Sequence, residues 1–324
     1  MLDRADSPAI PGSSARSPAA SPTSFPTWAR PEKPAETEAE AAFLAGAALA
    51  RLDAVIRENP PWDGAFRQRL ALHVAAACVA RSGRAEDEGA LRDALHLTRP
   101  GGDPGPAGRT LLAWRALTAG STGQWRSAIK AAAVALLVPQ DDALHAAVEA
   151  ARACAEGNRL APFAAARCHQ LARRALTPAV GGAGEGDLLA AWLADAVLAL
   201  KLKWPFALPL LGAGQRDAAR RSTGEGEAIL FGYARAAAQA ADLAAELARR
   251  AQKLSEAAPK LRAKGAGAAL NALLDEDSLS AATPISGLSE RGARRLFERL
   301  FERLVALGAL RELTGRATFR LYGL

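Results

Sequence analysis

The sequence contains few of the residues from which metal sites and disulfide frameworks are built. Only three cysteines and four histidines occur in 324 residues. Cys78, Cys154 and Cys168 form no CxxC pair, so the sequence predicts neither a disulfide framework nor a cysteine-built zinc site. We expect all three to be reduced thiols that pack as small hydrophobic side chains in a cytoplasmic protein.

The four histidines are scattered singly along the chain, at positions 73, 96, 145 and 169, and none belongs to an HExxH motif. We therefore expect no metal and no cofactor. Cys168 and His169 are adjacent, but neighbouring side chains on a helix point about 100° apart. This pair is interpreted as a buried cysteine beside a surface histidine, not as a nucleophile with its base. With no reactive constellation and no catalytic residue in view, we predict that the chain is not an enzyme.

Long apolar runs are also missing. The stretch from Leu188 to Leu202 contains Asp195 and Lys201, and it falls short of the roughly 18 apolar residues that a membrane helix needs. Because no apolar run follows the charged residues near Met1, a secretory signal is not expected either. The sequence predicts a cytoplasmic protein without a membrane segment.

Aromatic residues make up only 5% of the chain, although hydrophobic residues make up 50%, and much of the apolar content is alanine. Alanine favours helix over strand, so the predicted fold class is all-α. A Pro- and Ser-rich leader, residues 1–35, is predicted to be disordered. An alanine-rich multi-helix body, residues 36–257, follows it. The last part, residues 258–324, is predicted to be a small winged-helix-like module that ends in one β-hairpin.

The C-terminal module is expected to contain three helices, at residues 262–274, 279–285 and 289–307, with Gly308 ending the third. Strands at 309–313 and 318–322 can then pair as a hairpin. This order is typical of a winged helix-turn-helix, whose third helix enters the major groove of DNA while its wing reaches phosphates. The predicted DNA-binding residues are Arg291, Arg294, Arg295, Arg299 and Arg303 on the helix, with Arg316 and Arg320 on the hairpin.

Two alternatives remain open at this stage. The arginines alternate with Glu298 and Glu302, so they can simply solvate a surface helix. The net charge of +7 permits a polyanionic partner without requiring one. The competing hypothesis is a helical scaffold that binds a protein partner or a second copy of itself, and in which Phe319, Leu321 and Tyr322 of the hairpin are buried.

Several segments resemble an uncharacterised bacterial family, the domain of unknown function 1403. They are Ala41 to Pro61 (AAFLAGAALARLDAVIRENPP), Ala90 to Trp114 (ALRDALHLTRPGGDPGPAGRTLLAW), Trp192 to Leu211 (WLADAVLALKLKWPFALPLL), Ala258 to Gly265 (APKLRAKG) and Arg311 to Leu324 (RELTGRATFRLYGL). The resemblance covers nearly the whole chain after the leader, and it implies no particular activity.

One segment departs from the family pattern. The unit Phe-Glu-Arg-Leu at 297–300 is repeated at once at 301–304, whereas the family pattern carries it once. Four extra residues would lengthen an α-helix by about 6 Å and rotate everything after it by roughly 40°. The repeat is therefore expected to aim the hairpin in a new direction relative to the helix.

Overall fold

The computed structural model describes residues 25–99, 101–177, 183–213, 225–261, 265–284, 289, 291–292, 294, 297–316 and 319–324. In these ranges the longer helices are α1 (Glu38–Arg57), α2 (Asp63–Arg81), α3 (Glu88–His96), α4 (Gly105–Thr118), α5 (Trp125–Ala135), α6 (Asp142–Glu156), α7 (Ala161–Leu176), α8 (Ala183–Leu202), α9 (Glu225–Ala257) and α10 (Ala266–Asp275). A π-helical turn, Phe297–Phe301, leads into α11 (Glu302–Ala306). Short 3-10 turns lie at Thr27–Ala29, Thr122–Gln124 and Ala258–Lys260. The prediction of a mainly helical chain is confirmed.

Side-chain caps define where several of these helices begin. Thr37 accepts a hydrogen bond from the backbone N–H of Glu40 ahead of α1, at 3.2 Å. Asp87 caps α3 in the same way, with 2.8 Å to the N–H of Ala90, and Asp141 caps α6. Each cap satisfies a backbone donor that the first helical turn leaves without a partner.

Helix α8 lies at the centre of the body, and both its flanks are buried. It packs against α7, α6 and α5, while α1 lies along α9 and α2 packs on α4. Trp192 of α8 is fully buried, and its indole N–H donates to the carbonyl of Ala113 at 3.0 Å. Asp195 is also buried there and accepts the backbone N–H groups of Leu210 and Leu211, at 2.7 and 3.1 Å. The core is therefore helix against helix, as an alanine-rich sequence favours.

A small antiparallel sheet lies at the C-terminal end, formed by β1 (Leu279–Ser280), β2 (Arg311–Glu312) and β3 (Leu321–Gly323) in the order β1-β3-β2. The predicted hairpin is confirmed as β2 and β3, with Arg311 opposite Gly323. The predicted short helix at 279–285 is wrong, because Leu279 and Ser280 pair with Tyr322 and Leu321. A partner about 40 positions away outweighs the weak local preference for helix.

Two predicted boundaries need correction or comment. Most of the predicted leader lies outside the described residues, but Phe25 and Ala29 are buried against the body, so packed structure begins before residue 36. Helix α9 ends at Ala257, next to the predicted start of the module. Ala269 and Phe301 of the module nevertheless belong to the same continuous core as the body.

Within the described ranges, no helix is long and apolar enough to cross a bilayer.

Candidate nucleic-acid interface

The helical segment before the hairpin presents an apolar face to the core and a basic face to solvent. Phe297, Leu300, Phe301 and Leu304 are at most 4% exposed, and they pack inward. Among the residues predicted to bind DNA, the segment places Arg291, Arg294, Arg299 and Arg303 on the exposed side. None of these four has an ion-pair partner within the described part of the chain. Arg295 lies outside the described residues.

The repeated Phe-Glu-Arg-Leu unit coincides with the π-helical turn at 297–301. A π turn has i→i+5 hydrogen bonds and therefore spreads one turn over more residues than an α turn. The figure of roughly 40° assumes a uniform α-helix, whereas residues 297–301 form a π-helical turn, so the new direction of the hairpin stays a prediction. Phe297 and Phe301 both point inward, with their rings edge-on at 4.1 Å, and Phe301 reaches Tyr322 of β3 at 5.3 Å.

The two hairpin arginines are placed differently from the helix arginines. Arg316 forms an ion pair with Asp93 of α3 at 2.7 Å. Arg320 lies 3.6 Å from a carboxylate oxygen of Glu302 and 4.0 Å from one of Glu312. Both side chains keep about half of their surface exposed, at 54% and 43%. Intrachain carboxylates therefore already offset the charge of the hairpin, whereas the four exposed arginines of the helix have no such partner among the described residues.

The outer face of the hairpin lies on α3. The ring of Phe319 packs against His96 with centroids 6.5 Å apart, and Phe319 is half-buried. Leu321, Tyr322 and Leu324 are buried. These contacts hold the hairpin against the body, so it does not project freely into solvent.

A buried carboxylate, Asp277, holds the module to α2 and α3. Its two oxygens accept hydrogen bonds from Arg69 and Arg92, with 2.6 Å between Oδ2 and the Nε of Arg92. Arg69 also donates to the backbone carbonyls of Asp277 and Leu324, at 3.2 and 3.3 Å. Beside this clamp, Ser278 lies 3.0 Å from the Nε2 of His96. The Arg69 side chain of α2 thus contacts both Asp277 and Leu324 of the module.

The electrostatics of the clamp are dominated by the guanidinium groups. Burial alone would raise the pKa of the Asp277 carboxyl, but the charges of Arg69 and Arg92 and their hydrogen bonds hold that pKa well below its ordinary range. Nearby, burial lowers the pKa of the Arg115 guanidinium, and the charge of Asp277 opposes that shift. Asp277 is therefore ionised at neutral pH.

Sequence reasoning missed this clamp, because Asp277 lies 208 positions from Arg69 and 185 from Arg92. The one local signal was the acidic run Asp275-Glu276-Asp277 at the start of a basic module. Such a run is ordinarily read as a solvated surface.

The remaining candidate residues were predicted with mixed success. Cys78 and Cys168 are buried, as predicted, whereas Cys154 is half-buried. The prediction of a surface histidine at 169 is wrong: His169 is 4% exposed, and burial lowers its pKa to about 4. It faces inward because α7 packs on both α6 and α8 and so has two buried flanks. Among the described residues, no three His, Cys, Asp or Glu side chains cluster as a metal site would require.

Comparison with known families decides where this chain belongs. A family model described as protein of unknown function (DUF1403) matches residues 13–324. The chain belongs to the DUF1403 family. The match includes α1 to α11 and the sheet, so a single family model covers both the body and the C-terminal module of this DUF1403 protein. A comparison with curated proteins gives no match.

Proposed function

We propose that this DUF1403 protein binds duplex DNA without catalysing a reaction on it, and that the exposed arginines of the helical segment before the hairpin, Arg291, Arg294, Arg299 and Arg303, make the contact. The order helix, strand, helix, hairpin and the strand order β1-β3-β2 are typical of winged helix-turn-helix modules. In such modules the helix before the hairpin lies in the major groove. The topology therefore supports a DNA-binding role for that helix.

The observation that carries the proposal is the unpaired charge on this helix. The four exposed arginines have no ion-pair partner within the described residues, although many other arginines of the chain pair with carboxylates. A planar guanidinium binds phosphate or guanine through two parallel hydrogen bonds. An exposed arginine face without carboxylate partners among the described residues is suited to binding a polyanion, which supplies negative charge.

The hairpin contributes less than a free wing would. Arg316 and Arg320 are already close to Asp93, Glu302 and Glu312, and Phe319 lies on α3. We therefore assign the main contact to the helix, and expect the hairpin to set the angle at which the body holds that helix.

The test compares two double variants that remove the same charge. Arg299→Ala with Arg303→Ala removes two exposed cations four residues apart on the proposed face. Arg126→Ala with Lys130→Ala removes two exposed cations with the same spacing on α5. Binding of fluorescently labelled duplex DNA is measured by anisotropy across a range of salt concentrations.

The helix variant should lose roughly 10- to 100-fold in affinity, and the slope of log K against log salt should become shallower by about 2, because two phosphate contacts are lost. The α5 variant should bind like the unaltered protein. If the unaltered protein does not bind, or if both variants lose affinity equally, the proposed interface is wrong.

One set of contacts favours a second candidate, a helical scaffold that binds a protein partner. The hairpin buries Leu321 and Tyr322 against its own chain, and Asp277 clamps the module to α2 and α3. Because a fold does not by itself determine a function, a winged-helix-like module can also serve as a docking platform. This candidate predicts that the Arg299 and Arg303 double variant leaves weak, salt-sensitive DNA retention unchanged.

A further inference from the structure

A long groove runs between α2 and α9 and reaches the C-terminal module, and we call it the α2–α9 groove. Its volume is about 720 Å³, which lies in the range of sites that bind small organic molecules. On α9 the lining residues extend from Ala236 to Arg249, a distance of about 20 Å at 1.5 Å per residue. Arg311 of β2 also lines the groove, and its guanidinium lies 3.5 Å from Glu246 of α9. The end of the groove at Arg249 is therefore the end at the module.

The opposite end of the groove is apolar. It is lined by Val74 of α2, Leu210 of the segment after α8, and Ala236 and Ala240 of α9. Gly212 lies against the Val74 side chain, so the segment after α8 packs on α2 at this end. Because burial of apolar surface is favourable, an elongated site with such walls fits a hydrocarbon chain better than a compact polar molecule.

Positive charge is in excess at the module end. Arg249 is exposed and has no carboxylate partner among the described residues. Arg311 is 64% exposed and lies 3.5 Å from the Oε1 of Glu246, but that same oxygen already accepts a hydrogen bond from Arg250 at 2.7 Å. Burial and the charge of Arg311 both lower the pKa of the Arg250 guanidinium. Two guanidinium groups thus share one carboxylate, and a third lies beside them without one.

The other two carboxylates that line the groove do not cancel this excess, because cations outside the module end already pair with them. Asp242 accepts two hydrogen bonds from Arg30, at 2.7 and 3.1 Å. Glu88 lies 3.1 Å from the Nδ1 of His73 and 3.6 Å from the guanidinium of Arg92. The groove therefore combines an apolar end with an end that attracts an anion.

We propose that the α2–α9 groove binds a small amphipathic carboxylate, a single acyl chain whose carboxylate head lies on Arg249 and Arg311. The chain lies along α9 towards Ala236, and the guanidinium groups donate charge-assisted hydrogen bonds to the head. Because Arg311 belongs to β2, such a ligand contacts the body and the module at once. The proposal does not depend on DNA binding, since the arginines assigned to DNA do not line the groove.

The experiment titrates the full-length protein with straight-chain carboxylates from hexanoate to dodecanoate, below their micelle concentrations, and measures heat by isothermal titration calorimetry. Affinity should rise roughly fourfold for each added CH₂ that the groove buries, and it should stop rising once the chain is longer than the groove. Octanol and octyltrimethylammonium have the same chain without the negative charge, and both should bind at least about tenfold more weakly than octanoate. Binding of either one as tightly as octanoate, or no binding by any carboxylate of the series, would overturn the proposal.

Variants locate the bound carboxylate. Arg249→Gln should weaken decanoate binding about fivefold, because the head group loses charge-assisted hydrogen bonds. Arg249 is exposed, so this variant should fold, and an unchanged Tm without ligand checks that it does. Lys253→Gln is the matched control, since Lys253 is also an exposed cation of α9 but does not line the groove. This control should bind decanoate like the unaltered protein.

Arg299→Ala with Arg303→Ala should also leave decanoate binding unchanged, which separates this proposal from the one on DNA. If Lys253→Gln weakens binding as much as Arg249→Gln, general surface charge holds the carboxylate and the assignment to the groove is wrong. The assignment also fails if Arg249→Gln binds decanoate as tightly as the unaltered protein.

Discussion

Replacing Asp277 by asparagine should strongly destabilise the folded protein. The asparagine keeps the shape of the side chain but removes its charge. Arg92, whose side chain is only 8% exposed, and Arg69, at 16%, would then lie beside a neutral amide. A buried guanidinium that loses a counter-ion bears a desolvation penalty that is no longer offset, and Arg92 keeps only the longer contact to Glu88, at 3.6 Å.

The magnitude follows from this burial. Removing one partner of a buried ion pair costs about 3–5 kcal/mol of the free energy of unfolding. For a chain of this length such a loss lowers Tm by at least about 5 °C. The destabilisation by Asp277→Asn should be present at pH 7 and should fade below about pH 4. Folding lowers the pKa of the Asp277 carboxyl, so its charge stabilises the folded state above the unfolded pKa, and this stabilisation is lost as the pH falls.

Thermal and guanidinium unfolding followed by circular dichroism measures this loss, and Asp103→Asn is the matched control. Asp103 also pairs with an arginine, Arg109, at 2.7 Å, but its side chain is 65% exposed. An exposed ion pair contributes little to stability because water and salt screen it, so the control should change Tm little. The reasoning is refuted if Asp277→Asn costs no more than Asp103→Asn at pH 7.

Two further predictions concern other carboxylates. Asp93→Asn should weaken the ion pair to Arg316 and raise hydrogen exchange at the Leu313 N–H, which donates to the carbonyl of Leu321; it should also strengthen DNA binding up to about fivefold. Arg316→Ala should raise the same exchange without strengthening DNA binding. If both variants bind DNA with equal affinity, Asp93 does not withhold Arg316 from DNA. Burial raises the pKa of Asp195 to about 8, so the folded state keeps a proton that the unfolded chain releases, and the free energy of unfolding should fall between about pH 4 and pH 8. Urea titrations at several pH values should show a flatter profile for Asp195→Asn, and an unchanged slope speaks against a neutral buried carboxyl.

The local features of this chain could be predicted from its sequence. Alanine-rich periodic segments bounded by glycine and proline predicted the helices, and Gly308, which adopts a positive φ of 66°, marks the end of α11 as expected. The arginine face and the terminal hairpin were predictable for the same reason: side chains three or four positions apart share a helix face, and a short turn joins neighbouring strands.

The features that depend on distant partners could not be predicted in this way. Leu279 forms a strand because β3 is available to pair with it, and Asp277 is a clamp because α2 and α3 supply guanidinium groups. By itself, the sequence determined the helical class, the basic helix face and the turn before the hairpin, since these depend on bonding within a few residues. Only the tertiary structure decided which charges stay exposed and which are neutralised, because burial and ion pairing are set by side chains that meet across the core.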